Sequence, residues 1–310
     1  MASNEVIGFL CNPGPGDALR FLHAFCELLQ DTGEKGILYC LKNARKYCAS
    51  LVTFFRKNNG AGIELIYLEN MEELRDTLLE KTEGGLIFHA FEVKYFVKNT
   101  KVFPDEFLEG LPVKLMRIDC YKDQHYMRNR LQDHFDFARK QTMPNKLGLI
   151  FIRNTDIVIE RNMSREILAA ILEYGKENGI DFHFAGSPFP EQYKDLISKT
   201  ELIELYPKAD YPAYYDQICR YSQYSFAIGM NSGGLDMAAA GGVPIIRIGE
   251  FHQYYSHLGQ DFNTFLNGNY VLNIASNGET DISNITERTI YKALDMLLHR
   301  EKENCGIVWI

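Results

Sequence analysis

A chain of 310 residues, 46% hydrophobic and 24% charged, has the apolar content needed to offset chain entropy, which excludes intrinsic disorder. Its net charge of −8 disfavours coating of nucleic acid by counterion release, so extended nucleic-acid binding is not expected; a local basic site for a phosphorylated ligand remains compatible with it. No run approaches the ~20 apolar residues of a membrane span, and the opening Met-Ala-Ser-Asn-Glu lacks the basic start and apolar core of a secretory signal, so the expectation is a cytoplasmic protein with no integral membrane segment.

Short apolar runs alternate with amphipathic stretches from end to end. Glu5–Cys11 reads as a strand, followed by Asn-Pro-Gly-Pro-Gly and a helix beginning near Asp17, in which Leu19, Leu22, Cys26 and Leu29 recur on one face. Ile37–Leu41, Ile63–Leu68, Leu86–His89 and Val113–Ile118 read as further strands, with helices at Asn43–Lys57 and Met71–Lys81. A polar stretch, Tyr121–Asn145, interrupts the pattern and reads as helix plus linker. It then restarts with strands at Leu147–Ile152, Asp181–Ala185, Leu202–Tyr206, Ser225–Met230, Val243–Ile248 and Tyr270–Ile274. Helices are expected at Ser164–Asn178, Tyr211–Tyr221, Gly234–Ala240 and Ile285–His299. Continuous apolar strands separated by helices imply parallel sheets covered on both faces. The fold class is therefore α/β, with two Rossmann-like domains, 1–140 and 146–310, facing a cleft where a ligand would sit.

Seven cysteines are scattered without a C-x-x-C pair, which removes support for zinc-ribbon or thioredoxin-like chemistry; they read as small buried hydrophobes. Three other places carry chemistry. After the first strand, Gly14 and Gly16 let the backbone turn tightly before Asp17, but a dinucleotide fingerprint would need a third glycine where Leu19 stands, and no Walker lysine follows. What remains is a carboxylate at the start of a helix: a candidate catalytic base, or an ordinary N-cap. In Met230-Asn-Ser232-Gly233-Gly234-Leu-Asp236, a strand runs into a helix of small residues. Free amides there, with the Ser232 hydroxyl, would bind a diphosphate; the alternative is a tightly packed βαβ unit with no ligand. Asp236 suits ribose or sugar hydroxyls better than phosphate. Arg153, closing Leu-Ile-Phe-Ile-Arg, has a guanidinium fork suited to two phosphate oxygens, although pairing with Asp156 would account for it as well. Arg247, within Val-Pro-Ile-Ile-Arg, is a second cation for the diphosphate.

These residues resemble the GT-B glycosyltransferases, and among them the ADP-heptose heptosyltransferase group. The likeness lies in Gly-Asp17-Ala-Leu-Arg after the first strand and in Asn-Ser-Gly-Gly-Leu-Asp-Met-Ala-Ala-Ala-Gly-Gly-Val-Pro late in the chain. The Ile-Arg-Asn-Thr-Asp stretch at 152–156 is also similar to the Arg-Arg-x-Asp motif of GDP-fucose-dependent fucosyltransferases, with Asn154 in place of the second Arg. The resemblance implies a glycosyltransferase in which Asp17 is the base and the Ser232 loop binds the diphosphate of a nucleotide-sugar co-substrate. In the heptosyltransferase pattern a His usually stands where this chain has Asp236.

Glycosyl transfer needs a base at the acceptor hydroxyl and positive charge at the leaving diphosphate. Asp17 supplies the first; Arg153, Arg247 and the amides after Asn231 supply the second. No Asp-x-Asp pair occurs, so neither a metal nor another cofactor is expected, and a single base implies inversion by analogy with inverting glycosidases. His89, Asp119, Glu250 and His252 follow or end other strands as secondary contacts; Glu250 would hold sugar or ribose hydroxyls. The tyrosines at 206, 211, 214, 215, 221 and 224 could stack on a base or simply pack. The acceptor is left open, because the first half carries no readable acceptor signature. Three alternatives stay in view. One is an enzyme like the UDP-N-acetylglucosamine 2-epimerases, whose N-terminal Gly-Thr-Arg-Pro-Glu loop is absent here. Another is a catalytically inactive sugar-nucleotide-binding protein. The third, a serine hydrolase, would need a glycine where Met230 stands.

Overall fold

The computed structural model describes residues 5–10, 25, 29, 33–42, 49, 52, 62–81, 87–89, 116–117, 146–153, 159, 162–185, 193–197, 202–203, 221, 223–240, 242–250, 270–278, 281–300 and 306–310. Its contacts form two units. The first is Met1–Met127 with Ala209–Tyr215, and the second is Arg128–Lys208 with Asp216–Ile310. The expected junction at 140–145 lies outside the described residues, as do most of the helices expected from Asp17, at Asn43–Lys57 and at Tyr211–Tyr221.

The first unit contains a parallel sheet of five strands: β1 (Glu5–Leu10), β2 (Lys35–Leu41), β3 (Ile63–Leu68), β4 (Ile87–His89) and β5 (Met116–Arg117). Their order is β3-β2-β1-β4-β5. The chain steps outward from β1 in one direction and returns to add β4 and β5 on the other side, so β1 and β4 flank the point where the order reverses. Helix α1 (Met71–Lys81) opens with Asn70, whose Oδ1 accepts from the Glu72 and Glu73 amides at 3.0 and 2.9 Å. Asn70 thus satisfies amides that the helix cannot bond internally. Phe9 and Tyr39 stack across β1 and β2 at 5.1 Å, and Phe25 and Leu29 pack so closely over Gly36 that a Cβ there would sit 2.6 Å from Leu29 Cδ1 and require those side chains to shift. Cys40 is buried and free, as its apolar run implied.

The second unit holds seven parallel strands in the order β12-β11-β10-β9-β6-β7-β8. In chain order they are β6 (Leu147–Phe151), β7 (Asp181–Ala185), β8 (Leu202–Ile203), β9 (Phe226–Met230), β10 (Ile245–Glu250), β11 (Tyr270–Ala275) and β12 (Gly306–Trp309). The helices are α2 (Arg165–Asn178), α3 (Lys194–Ile197), α4 (Gly233–Ala240) and α5 (Glu287–Leu298). Strand alternation sorts the sheet's two faces. Ile150, Ile228, Ile246, Ile248, Leu272 and Ile274 form one core with Ile167, Leu168 and Ile171 of α2 and Ile290, Leu294 and Leu297 of α5. The opposite register positions, including Phe151, Gly229, Arg247 and Asn273, lie on the α4 side.

Caps fix where the long helices begin and end. The Ser164 hydroxyl accepts from the Ile167 amide at 3.2 Å, and α2 stops at Gly179, whose left-handed φ of 62° favours glycine. Thr286 and Thr289 form a reciprocal capping box at the start of α5. Between these helices the Tyr174 hydroxyl donates to Asp295, and Tyr291 packs edge-on against Tyr174 at 5.1 Å. Burial first, then the Asp295 carboxylate, pushes the Tyr174 phenol above its ordinary range, so this hydrogen bond persists at any physiological pH.

Most expected strands occur within two residues of their expected ends. Of the expected strand Leu202–Tyr206, Leu202–Ile203 pair with β7, and positions 204–206 lie outside the described residues. Two departures have physical reasons. Strand β12 was not expected: its four residues carry no periodicity of their own and become a strand by pairing with β11 from Tyr270↔Gly306 to Asn273↔Trp309. The one-turn helix α3 escaped the periodicity for the same reason of length.

At Gly229 the central strands approach so closely that a Cβ would sit 2.3 Å from the Phe151 carbonyl oxygen, a backbone atom that cannot swing aside. Gly229→Ala is therefore expected to destabilise the second unit by about 2–3 kcal/mol. Urea denaturation followed by Trp309 fluorescence measures this, since Trp309 is the chain's only tryptophan and lies in the same sheet. An unchanged midpoint would contradict the packing argument.

Candidate functional site

Within the second sheet, β6 leads outward to β7 and β8, whereas β9 leads the other way to β10. β6 and β9 are adjacent, paired from Gly148↔Phe226 to Phe151↔Gly229, and so flank the crossing point where ligands of open α/β sheets bind, beyond the strands' carboxyl ends. Two sequence-selected groups follow these strands. Arg153 comes two residues after β6, and Asn231, Ser232, Gly233 and Gly234 follow β9 directly. The topology therefore brings the Arg153 and Ser232 positions to one edge of one sheet.

Arg153 is half-buried. Its Nη1 donates to Asn162 Oδ1 at 3.0 Å and its carbonyl accepts from the Met163 amide at 3.3 Å, which ties it to the segment leading into α2. The Arg153–Asp156 pairing weighed from the sequence involves a residue outside the described set. The start of α2 is occupied by its own residues. Ser164 caps it, and hydrogen bonds from the Glu166 amide and then from Ser164 hold the Glu166 carboxyl below the usual carboxylate range.

Helix α4 begins differently. The Asn231 amide donates to Ile248 at 3.2 Å, anchoring the loop to β10, and the Ser232 carbonyl accepts from Leu235 and Asp236 at 3.0 and 3.4 Å. The first amides of any α-helix have no intrahelical acceptor, and here they belong to Ser232, Gly233 and Gly234, with Ser232 and Gly233 half-exposed. Gly233 has no side chain to cover its amide, whereas Gly234 is buried. Ala238 and Ala239 are buried, as small residues must be if a helix lies close on a sheet.

Asp236 and Arg247 have a relationship the sequence did not suggest. The Arg247 guanidinium donates to the Asp236 carboxylate, and the two side chains are only 1% and 5% exposed. The sequence assigned Arg247 to a diphosphate and Asp236 to donor hydroxyls; in the fold these two residues engage each other at the first turn of α4. The reason is register. Ile246 and Ile248 enter the α2–α5 core, so Arg247 between them must enter the α4 side, where a buried guanidinium requires a carboxylate.

The remaining selected residues divide by location. Asp17, Gly14, Gly16, Asp119 and His252 lie outside the described residues. The Asp17 loop follows β1, and His89 is the last residue of β4, in register with Phe9 of β1. His89 therefore belongs to the reversal point of the first sheet. Glu250 ends β10, where a bulge with Gly249 at φ 77° puts Glu250 rather than Gly249 opposite Ala275. Of the tyrosines, Tyr221 packs edge-on against Phe151 at 5.3 Å and Tyr224 hydrogen-bonds His183 at 2.8 Å, so these two serve packing. Among the described residues no three His, Cys, Asp or Glu side chains gather as metal ligands, and no helix is long and apolar enough to cross a membrane.

No family model matches the chain, and no curated protein matches it. Solved structures do. A glycosyl transferase family 9 protein from Veillonella parvula aligns at 13% identity over 96% of this chain and 98% of its own, with a TM-score of 0.57. The E. coli ADP-heptose heptosyltransferase II aligns at 13% identity over 94% and 98%, with a TM-score of 0.55. The UDP-GlcNAc 2-epimerase of Methanocaldococcus jannaschii, solved with UDP-GlcNAc and UDP, aligns at 11% identity over 96% and 94%, with a TM-score of 0.50. The chain has a GT-B fold. Two Rossmann-like α/β units in series, which the alternating strands and helices predicted, are what these proteins share with it.

One residue of this GT-B chain escaped the sequence reading. Asn273 on β11 is fully buried, pairs in register with Arg247, and among the described residues neither side-chain polar atom has a partner. A lone Asn in the run Tyr-Val-Leu-Asn-Ile-Ala was the available signal, since such a strand is otherwise wholly apolar. Desolvating an amide without compensation is costly, so the isosteric Asn273→Leu is expected to raise stability by about 1–3 kcal/mol in urea titration. A fall in stability instead would reveal that the amide has a bound partner in solution.

Proposed function

We propose that this protein is a glycosyltransferase that moves a sugar from a nucleoside-diphosphate sugar to an acceptor hydroxyl, with the second unit taking the donor and the first the acceptor. The observation that carries the reading is the edge shared by β6 and β9. Strand order puts at that edge the α4 terminus, with Ser232 and Gly233 half-exposed, and the half-buried Arg153. A helix N-terminus favours negative charge and an Arg fork fits two phosphate oxygens, a combination suited to a pyrophosphate. The GT-B fold supports it, because solved proteins of this architecture include glycosyltransferases.

In the proposed reaction the Asp17 carboxylate takes the proton of the acceptor hydroxyl. That oxygen forms its bond to the anomeric carbon as the bond from carbon to the diphosphate oxygen breaks, and the electron pair leaves on the diphosphate. The Ser232–Gly234 amides and Arg153 would stabilise that developing charge, which is where electrostatic catalysis acts. One base and a direct displacement give inversion, and with Asp-x-Asp absent from the sequence the proposal uses no metal. Glu250 and His89, at strand ends, are proposed contacts for the sugar or acceptor.

A thermal-shift screen of UDP-, GDP-, ADP- and CMP-sugars tests the donor site. A true donor at 100 times its dissociation constant is expected to stabilise the fold by ~2.7 kcal/mol, and no shift with any of the four would refute the site. Activity is tested separately by hydrolysis of the shifting donor and by transfer assays. Asp17→Asn is expected to retain the thermal shift while losing transfer by at least a hundredfold. Full transfer activity in that variant would remove Asp17 from the role. Interconversion of UDP-GlcNAc with its 2-epimer in the absence of acceptor would replace the transferase reading with the epimerase one.

A further inference from the structure

The Asp236–Arg247 pair does more than fasten α4 to the sheet. Asp236 lies in the first turn of α4, where its amide bonds the Ser232 carbonyl at 3.4 Å, one turn from the amides assigned to the donor diphosphate. An uncompensated carboxylate there would set a full negative charge beside a ligand bearing two or more. Arg247 reaches it from β10, and at 1% and 5% exposure neither charge is screened effectively by water. We propose that Arg247 is a positioning residue that sets the charge of the donor loop. By neutralising Asp236 it lets the α4 terminus accept a pyrophosphate while the pair holds that terminus against the sheet. The inference rests on the donor reading above and adds to it a role for two residues that do not themselves touch the ligand.

The distinguishing consequence is one of sign. If the pair only held the loop in shape, removing either partner would loosen it and weaken binding of every ligand. If the pair sets charge, the two removals act in opposite directions on anionic ligands. Asp236→Asn keeps the size and the acceptor oxygen for Arg247 but leaves the guanidinium charge unbalanced, which attracts pyrophosphate. Arg247→Gln keeps an N–H for Asp236 but leaves the carboxylate unbalanced, which repels it. Each effect is expected to be about five- to tenfold, the size of one charge acting through a partly buried path. The double variant, neutral at both positions, returns toward the wild-type affinity.

Isothermal titration of the full-length protein with inorganic pyrophosphate, UDP, GDP and ADP, and with uridine, guanosine and adenosine as uncharged controls, tests this. The expected result is tighter binding of the diphosphates to Asp236→Asn, weaker binding to Arg247→Gln, and nucleoside affinities that stay constant. Weaker diphosphate binding by both variants, or equal changes for diphosphates and nucleosides, would show a purely structural pair and overturn the inference while leaving the donor site standing. Should Arg247→Gln fail to fold by thermal denaturation, Asp236→Asn decides alone, because a structural role still requires it to weaken binding. Failure of wild-type protein to bind any of the diphosphates overturns the donor reading itself, and this inference with it.

Discussion

A guanidinium and a carboxylate removed from water together, Arg247 from β10 and Asp236 from α4, form the constraint on which the second unit's candidate site depends. Burying either charge alone costs several kcal/mol, so each position is tolerable only while the other is occupied. The pair therefore couples the placement of α4 to the register of β10. Because α4 begins with Ser232, Gly233 and Gly234, it also fixes where those amides point relative to the sheet. A loop of glycines would otherwise sample many conformations and offer a poor anion site. Here flexibility in sequence is confined by an electrostatic contact made elsewhere.

The sheet around this contact is graded. Toward α2 and α5 the strands present Ile, Leu, Phe and Met in an apolar layer, whose Tyr174 and Tyr193 hydroxyls are satisfied by the Asp295 carboxylate and the Met163 carbonyl. Toward α4, near the carboxyl ends of the strands, the row across β9, β10 and β11 reads Gly229, Arg247, Asn273. One face thus supplies stability through close packing, and the other carries the buried polar residues of β10 and β11. Proteins that bind ligands at the edge of a parallel sheet need this division, since polarity placed in the stabilising core would have to be satisfied there without benefit.

A GT-B fold narrows the chemistry without choosing it. The architecture is shared by the heptosyltransferase from E. coli and by a UDP-GlcNAc 2-epimerase, each aligning over nearly the whole chain. What favours transfer here is local. The proposed transfer assigns to Asp17, in the sequence after β1, and to the α4 terminus after β9 the two charges that an acceptor hydroxyl and a leaving diphosphate require. Function belongs to such sites and only secondarily to the scaffold that carries them.

Sequence alone determined the α/β class, the parallel sheets and the long helices among the described residues, because continuous apolar strands and a 3.6-residue helical period are local properties that short windows reveal. It also located Arg153 and Ser232–Gly234, since a strand followed by glycines before a helix is a local pattern. Strand β12, the pairing of Leu202–Ile203 with β7 and the register of Asn273 beside Arg247 were decided only by the folded sheet, because each depends on which strand lies alongside. The mutual burial of Asp236 and Arg247 is the clearest instance. Eleven residues separate them, on a helix and a strand whose packing no periodicity encodes, so their charges acquire meaning only when the fold makes each the other's solvent.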